Sequence, residues 1–542
     1  MLQEFFPQHV KRGIVRRFNN LKIARVAREV ARCAPAASGA PVAFFKASTG
    51  IDDLSWNSGF HLLASWALRL QGIPVAYFAC RSGMSHCVLG THRDDPHKPP
   101  PCKSCIYQAK TLYTNVPVVE DTKNGAVVRW FAYHERPALA SALDGKALFE
   151  LMEFQWQGLP LGAICLPGLR WILRRYNLAD DEGTRYLLRE YILSAWNVAQ
   201  EFSHFLDEVK PRAVVVFNGQ FYPEAVARYV AQQRGVRVIT HEVGLQPASA
   251  FFTDGEATAY PIRIPDEFEL SDEQNARLDA YLEQRFQGKF SMAGIQFWPE
   301  MKGLDAAFLE MAAGFKQIVP IFTNVIFDTS QPHANTVFND MFAWLDAVLP
   351  VIRQNSDTLF VIRAHPDELR VRKASRETVE EWVRSTSADK EPNVIFIGPK
   401  ETLSSYELIA RSKFVMVYNS TIGLEASILG APVLCAGKAR FTQYPTVYFP
   451  QTMEEQRARL VEFLGAESIP VPPEFRRNAR RFLYYQLFRT SLPFGDFLMP
   501  SVRTTQTRLK SFELGALSPD KSAAMRAVFK GLLEGGDFLL EE

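Results

Sequence analysis

Three adjacent polar residues, Asn419, Ser420 and Thr421, interrupt a long apolar stretch of the chain. The residues around them, from 414 to 434, predict a buried strand, a short helix and a second buried strand. At such a strand-to-helix break, side-chain hydroxyls and the first backbone N–H groups of the helix can hold a phosphate. Glu425 follows one turn later, where a carboxylate can accept hydrogen bonds from ribose hydroxyls. The alternative interpretation is a plain helix cap, with Glu425 complementing the helix dipole.

A second group of polar residues lies at the end of another apolar run, residues 358–363. The run ends at Arg363, and His365 and Pro366 follow it. Pro366 restricts His365 to an extended conformation. In an open parallel sheet the carboxyl ends of the strands line the ligand crevice, so His365 and Ser420 are expected on one rim. The imidazole can donate to a phosphate oxygen, and Arg363 can supply positive charge beside it. A surface histidine without a role is the alternative, and the helix start expected on the same rim weighs against it.

The order of these features resembles the nucleotide-sugar half of GT-B glycosyltransferases. More narrowly, it is similar to the capsule polysaccharide biosynthesis family, which includes bacterial transferases of 3-deoxy-manno-octulosonic acid (Kdo). The resemblance covers residues 318–437 and, less closely, 213–247. In that family a His-Pro pair and a Ser/Thr-rich helix start followed by Glu serve the donor nucleotide. The resemblance therefore implies donor binding by His365, Ser420, Thr421 and Glu425, to which the residue types add Arg363 and Asn419.

The fold expected from this resemblance is α/β and GT-B-like, with two Rossmann-like domains facing a central cleft. The expected function is transfer of a sugar from a nucleotide-sugar donor, such as CMP-Kdo, to a growing capsule or other surface polysaccharide. The acceptor would be a polysaccharide or a lipid-linked glycan. No Asp-x-Asp triplet is present in the sequence, so no cofactor is expected for catalysis. The alternatives are a polyol-phosphate transferase or sugar-nucleotide epimerase on the same fold, and a non-catalytic capsule assembly or export factor.

The first half of the chain offers three carboxylates as catalytic bases. Glu242 follows the apolar run 236–240 and would face the cleft from the sheet edge, where it can accept the proton of an acceptor hydroxyl. Asp52 and Asp53, in the polar loop after the run 41–46, are its competitors. His241, next to Glu242, is interpreted alternatively as a buried core histidine.

Polar residues also follow the apolar run 212–217 and would lie on the neighbouring strand end. They are expected in the cleft: Asn218, Gln220 and Glu224. For Glu224 the alternative is that it begins a helix and complements its dipole.

Four cysteines lie within a stretch of twenty-six residues and are not part of the transferase pattern: Cys80, Cys87, Cys102 and Cys105. The C-x-x-C pair can place two thiolates on one Zn²⁺, and Cys87 with Cys80 or a nearby histidine would complete a tetrahedral set. The pattern predicts a structural zinc site that holds a loop, or less readily an iron–sulfur site. The alternative is a set of reduced cysteines in a proline-rich loop.

The pattern of apolar runs divides the chain into four parts. Strands are predicted at 41–46, 73–79, 212–217, 236–240, 318–323, 358–363, 393–397, 414–418 and 431–434. We predict a basic amphipathic helix within 1–40, an N-terminal Rossmann-like acceptor domain over 41–300, a nucleotide-sugar-binding Rossmann-like domain over 301–465, and a C-terminal helical return over 466–542. The N-terminal domain would contain the cysteine-rich loop 80–105 and a helical insertion over 135–210.

Composition and charge fit a large globular enzyme. The chain has 542 residues, 47% hydrophobic and 22% charged, and its net charge of +2 argues against a dedicated nucleic-acid binder. No apolar run is long enough to cross a bilayer, and seven cysteines fit a reducing compartment, so the sequence predicts a cytoplasmic protein. Basic amphipathic segments at 8–32 and 475–488 can attach to the cytoplasmic face of the inner membrane, or can dock on the protein itself.

Overall fold

The computed structural model describes residues 8–46, 51, 53–118, 125–287, 302–370 and 373–542. All the strands that the apolar runs predict are present, with ends shifted by at most three residues. Most residues of these strands are buried, and four strands are buried along their whole length, because helices cover both faces of each sheet.

The N-terminal part of the chain forms fifteen elements among the described residues. They are α1 Gln8–Cys33, β1 Val42–Lys46, α2 Trp56–Leu70, β2 Val75–Cys80, α3 Cys102–Leu112, β3 Ala126–Phe131, α4 Pro137–Leu143, α5 Leu148–Met152, α6 Leu161–Leu173, α7 Glu182–Val209, β4 Ala213–Phe217, α8 Tyr222–Gln233, β5 Arg237–Val243, β6 Ser249–Thr253 and α9 Asp272–Phe286. The helices α4 to α7 fill the region between β3 and β4. A seven-stranded sheet with the order β12-β6-β5-β4-β1-β2-β3 organises this half, where β12 (Leu492–Pro493) comes from the C-terminal segment.

The second half contains its own parallel sheet. Its elements are α10 Ala306–Ala312, β7 Gln317–Phe322, α11 Gln331–Ala334, α12 Met341–Gln354, β8 Thr358–Arg363, α13 Val379–Ser385, β9 Val394–Ile397, α14 Ser405–Ala410, β10 Val415–Val417, α15 Ile422–Ile428, β11 Val433–Cys435 and α16 Met453–Gly465. The five strands lie in the order β11-β10-β7-β8-β9, and all pairs are parallel. β7 and β10 lie side by side in the middle of the order, so their carboxyl ends, together with that of β8, form one edge.

The C-terminal segment returns to the first half. Its elements are α17 Pro473–Tyr484, β12 Leu492–Pro493, β13 Leu498–Pro500, β14 Thr507–Leu509 and α18 Ala523–Phe529. β12 pairs antiparallel with β6 at the edge of the seven-stranded sheet. Apolar residues of α18 are buried in the core beneath that sheet, against α2 and β12. The architecture is therefore GT-B-like, with two Rossmann-like domains and a C-terminal segment that packs on the first.

The two basic amphipathic segments differ in how much of their surface is buried. In α1, Ile23, Ala27 and Val30 are buried against the N-terminal core, while the outward face exposes apolar and arginine side chains. In α17 three of the four arginines bond to preceding segments of the chain, and Arg480 bonds to Asn275 and Asp279 of α9. The second segment therefore follows the interpretation of a helix packed on its own protein. None of the helices in the described ranges is long and apolar enough to cross a membrane.

Candidate functional site

Two adjoining cavities lie in the cleft between the domains. The C-domain cavity, of about 440 Å³, is lined mainly by loops that follow β7, β8, β10 and β11. The N-domain cavity, of about 410 Å³, is lined mainly by residues that follow β1, β4 and β5. Six residues line both: Trp171, Thr258, Asp328, Ser330, Lys373 and Arg440. A ligand that spans both cavities would therefore pass Asp328.

The C-domain cavity brings together His365, Asn419, Ser420 and Thr421, as the sequence predicts. His365 follows the end of β8, and its Nδ1 accepts a hydrogen bond from the backbone N–H of Asp367 at 3.1 Å. In the neutral ring the proton is then on Nε2, which can donate to a ligand. Burial lowers the pKa of His365 below its ordinary 6.5, so the neutral form dominates at pH 7.

Cations also line this cavity, and sequence reasoning did not single them out. Lys373, Lys438 and Arg440 contribute to its wall. The Arg440 guanidinium stacks on the Tyr260 ring at 3.8 Å from the ring centroid, which fixes its position. Ammonium and guanidinium groups next to hydroxyls and an imidazole N–H are the donors that phosphate oxygens prefer. The cavity therefore has the chemistry of a phosphate site.

Glu425 does not reach the cavity that the sequence predicts for it. It is only 3% exposed, and its Oε1 lies 2.6 Å from Nη2 of Arg285. Its Oε2 accepts a hydrogen bond from the Tyr406 hydroxyl at 2.6 Å. The seven-residue α15 is buried on almost every face, so the side chain one turn past Thr421 points into the core. Glu425 is a structural anchor in this structure.

Arg363 is also placed away from the predicted site. It is 5% exposed, and its Nη1 donates to the Leu403 carbonyl. Side chains alternate across a strand, and Arg363 extends on the same face of β8 as Leu359 and Val361. Burial lowers the pKa of Arg363 to about 10. Its charge therefore lies beneath the sheet and not at the rim.

The N-domain cavity contains Glu242 and Asn218, and this agrees with their predicted place in the cleft. Asn218 Nδ2 donates to Glu242 Oε1 at 2.6 Å, and the backbone N–H of Val243 donates to Oε2 at 3.1 Å. Burial raises the pKa of Glu242, while the Asn218 hydrogen bond lowers it. Asn218 has φ of +60°, in the left-handed region that asparagine tolerates better than most residues. This strained backbone aims its amide at the carboxylate.

Two further cleft predictions on this strand end are corrected. Gln220 lines neither cleft cavity: its Nε2 donates to Glu256 Oε2 at 3.0 Å and lies 3.2 Å from Nε2 of His333, which does line the C-domain cavity. Glu224 lies in the first turn of α8 at 3% exposure and lines neither cleft cavity, in line with its alternative interpretation. Burial raises the pKa of Glu224, and the neighbouring Lys46 lowers it. Lys46 itself, at the end of β1, lines the N-domain cavity.

Of the two aspartates that compete with Glu242, the structure describes the placement of Asp53 alone. Asp52 lies outside the described residues. Asp53 is 1% exposed, accepts the backbone N–H of Leu54 at 2.8 Å, and lines neither cleft cavity. Burial raises its pKa, which the nearby Arg16 and Arg12 of α1 partly offset. His241 is fully buried between aromatic rings, as its alternative interpretation holds.

Asp328 is the carboxylate that sequence reasoning missed. It lies six residues after β7, and its Oδ2 accepts a hydrogen bond from the Ser330 hydroxyl at 2.8 Å. Burial is the main cause of the raised pKa of Glu242, and the charge of Asp328 raises it to a smaller extent. The segment 328–332 has the Asp-Thr-Ser-Gln-Pro composition of a loop, which is common enough that it did not mark Asp328 as a functional residue.

The four cysteines predicted as metal ligands line one small cavity of about 20 Å³, apart from the cleft cavities. None of the four forms a disulfide. Burial, with smaller contributions from Cys105 and Cys102, raises the pKa of Cys80 to about 12. Among the described side chains, no three of His, Cys, Asp or Glu converge closely enough to share one metal ion as placed.

Comparison with known proteins agrees with the resemblance seen in the sequence. Residues 304–446 match the family model described as "Capsule polysaccharide biosynthesis protein". This range contains His365, Asp328 and the three residues from 419 to 421. The resemblance to the capsule polysaccharide biosynthesis family is thus confirmed over that segment.

A curated relative and several solved structures are also similar to the chain. Protein FixF of Sinorhizobium fredii (strain NBRC 101917 / NGR234) is 27% identical over 305 residues, which cover 56% of this chain and 65% of that protein. The KpsC β-Kdo 2,4 transferase of Thermosulfurimonas dismutans is 12% identical, covering 52% of this chain and 80% of that one, with a TM-score of 0.34. UDP-GlcNAc 2-epimerase of Neisseria meningitidis, bound to UDP-GlcNAc, is 14% identical, covering 54% and 80%, with a TM-score of 0.26.

Proposed function

We propose that this protein is a glycosyltransferase that moves a sugar from a nucleotide-sugar donor to a growing capsule or other surface polysaccharide. One observation carries the proposal: a cavity with phosphate-binding chemistry meets a second cavity with a carboxylate, between two Rossmann-like domains. The match of residues 304–446 to the capsule polysaccharide biosynthesis family supports the biological setting. A reaction between two substrates needs two such sites that open to each other.

The donor would occupy the C-domain cavity. His365 Nε2–H and the hydroxyls of Ser420 and Thr421 would bind its phosphate oxygens, with Lys438 and Arg440 adding positive charge. As the bond between sugar and phosphate breaks, negative charge grows on the leaving phosphate. Fixed donors and cations stabilise that charge without reorganising, which is a large term in such catalysis. CMP-Kdo is one candidate donor.

The acceptor hydroxyl would lie in the N-domain cavity, near Glu242. If the reaction inverts the anomeric configuration, Glu242 would accept the hydroxyl proton as the oxygen attacks the sugar. Asn218 would hold the carboxylate in place through its 2.6 Å hydrogen bond. Asp328, on the wall common to both cavities, would act as a second carboxylate close to the transferred sugar.

A nucleotide panel tests the donor site. Purified protein is heated with CMP, CDP, UDP, GDP and their sugar conjugates, and the melting temperature is followed. A nucleotide at one hundred times its dissociation constant stabilises the fold by about 2.7 kcal/mol, which shifts the melting temperature measurably. His365→Ala should abolish the shift, whereas His134→Ala, with a side chain 57% exposed, should keep it.

The same purified protein and sugar nucleotides distinguish the alternative functions. Release of free nucleotide only when a glycan acceptor is added supports transfer. Interconversion of the sugar nucleotide without an acceptor would identify an epimerase, and transfer of a polyol phosphate would identify the related transferase. No shift with any nucleotide would favour a non-catalytic assembly or export factor.

A further inference from the structure

A cavity outside the cleft is lined by four cysteines that the proposed glycosyl transfer does not use. Cys80, Cys87, Cys102 and Cys105 all border it, and most of the remaining wall is apolar. All four are reduced, with no disulfide among them. A thiol is a weak hydrogen-bond donor, so the arrangement has little value for hydrogen bonding.

Separate elements bring each sulfur to this cavity. Cys80 ends β2, and its Sγ accepts the backbone N–H of Gly83 at 3.2 Å. Cys102 and Cys105 lie three positions apart in the first turn of the eleven-residue α3, so they share one face.

Cys87 is held by close packing on Gly90. A Cβ atom added to Gly90 would lie 2.8 Å from the Cys87 sulfur and 2.7 Å from Cβ of Pro100. Any larger residue at position 90 would push the sulfur or the proline aside. The segment between Cys80 and Cys105 is therefore built so that four sulfurs face a common space.

We propose that these four residues bind a metal centre as thiolates, of the class formed by zinc or by an iron–sulfur cluster. Thiolates select these metals, and four cysteines complete the usual ligand set of either. Binding releases the four thiol protons to solvent, and the metal cation takes up the thiolate charge. As placed, the described sulfurs surround the cavity without converging on one point. A zinc ion would require the sulfurs to approach one another, whereas an iron–sulfur cluster has several irons and would need each thiolate on one of them.

The metal centre would fix one wall of the cleft. Leu89, two residues after Cys87, lines the N-domain cavity. Further along the same loop, Asp94 forms an ion pair with Arg376 of the second domain. A metal centre that holds this loop in place would therefore help to set the shape of the N-domain cavity and support the contact between the domains. The inference stands apart from the proposed glycosyl transfer, because metal binding is measured without any substrate.

The first experiment measures metal in the full-length protein purified without oxygen or chelator. The same sample is measured by elemental analysis, by an assay for acid-labile sulfide and by visible absorption spectroscopy. Stoichiometric zinc without sulfide, or iron with a comparable amount of sulfide and visible absorption, supports the proposal and identifies which centre is present. Protein that contains neither metal, and takes up neither Zn²⁺ nor iron with sulfide, overturns it.

Variants locate the centre. Cys102→Ser and Cys105→Ser should each lose most of the bound metal, whereas Cys33→Ser and Cys165→Ser, which change free cysteines elsewhere, should retain it. Metal retained in both Cys102→Ser and Cys105→Ser would overturn the assignment. If these variants fail to fold, chelation of the wild-type protein replaces them. Loss of the metal should then lower the melting temperature, and an unchanged melting temperature would contradict a stapling role.

Discussion

At the residue scale, Glu242 gives the sharpest test of the proposed chemistry. Its carboxylate is held by Asn218 and lines the N-domain cavity, where a general base would stand. We expect Glu242→Gln to lower the rate of transfer about 10²- to 10⁴-fold, because the amide cannot accept the proton. Nucleotide-induced stabilisation should persist, because the donor cavity is untouched. Initial rates with saturating donor make this measurement.

The control for Glu242 is Glu267→Gln, a substitution of an exposed residue that should leave the rate unchanged. If Glu242→Gln retains activity and Asp328→Asn loses it, the base is Asp328 and the assignment to Glu242 is wrong. Because burial raises the pKa of Glu242, activity should fall off on the acid side at a pH above the ordinary value of 4.5.

The buried carboxyl group of Glu368 should make the stability of the protein depend on pH. This residue follows His365 closely, is 2% exposed, and has a pKa raised by burial from 4.5 to about 8. The folded state then binds a proton that the unfolded state releases, so stability falls as pH rises from about 4.5 to 8. One pKa unit corresponds to about 1.4 kcal/mol, so the full effect is of order a few kcal/mol.

Glu368→Gln removes this titration. We expect its melting temperature to exceed that of the wild-type protein at pH 8 and to approach it at pH 5. Thermal melts at both values measure the effect, with exposed Glu454→Gln as the control. A difference between variant and wild type that is the same at both pH values would contradict the linkage.

At the element scale, the sequence predicted which elements meet but not where every side chain points. Parallel strands bring their carboxyl ends to one edge, so His365 and Ser420 could be placed together from strand order alone. Glu425 could not, because its direction depends on how α15 packs against α9 and α14. Arg363 was misplaced for a similar reason: the face of β8 on which it lies is decided by the register of the sheet. The cations that follow β8 and β11 lie in loops without a periodic pattern.

The buried Glu425 pair yields a prediction that separates structure from ligand binding. Removing one partner of a buried ion pair leaves an uncompensated charge and costs about 3–5 kcal/mol. We expect Glu425→Ala to lower the free energy of unfolding by about that amount and to keep the nucleotide-induced shift. The control is Glu462→Ala, which breaks an exposed pair with Arg459 and should cost less than about 1 kcal/mol. Normal stability with a lost nucleotide response would instead support the ribose contact predicted from the sequence.

At the scale of the whole molecule, the C-terminal segment packs back onto the N-terminal domain. β12 extends the seven-stranded sheet, and α18 packs beneath it beside α2. The resemblance to GT-B enzymes suggested a return of this kind, but short strands such as Leu492–Pro493 carry too little pattern to be predicted. α1 packs on the same region, where Lys22 donates to the Leu509 carbonyl at 3.4 Å. The N-terminal helix and the returning segment thus hold each other in place.

This packing leaves one face of α1 turned to solvent, and its composition suits an anionic membrane. Ile14, Phe18 and Leu21 are 39%, 69% and 58% exposed, and Arg17 and Arg28 stand on the same face. Apolar side chains enter the headgroup region while arginines attract anionic lipids. The overall charge of +2 is too small to cause such binding, so any attachment must be local to this helix.

We therefore expect the protein to sediment with vesicles that contain phosphatidylglycerol, and to do so less as salt rises, because salt screens the arginines. Phe18→Ser with Leu21→Ser should weaken the binding severalfold without changing the melting temperature by more than a few degrees. The matched control changes two equally exposed apolar residues of α16, Met453→Ser with Val461→Ser, and should bind as the wild-type protein does. If wild-type protein stays in the supernatant at low salt, the exposed face of α1 does not serve membrane attachment, and a lipid-linked acceptor would have to reach the cleft by another route.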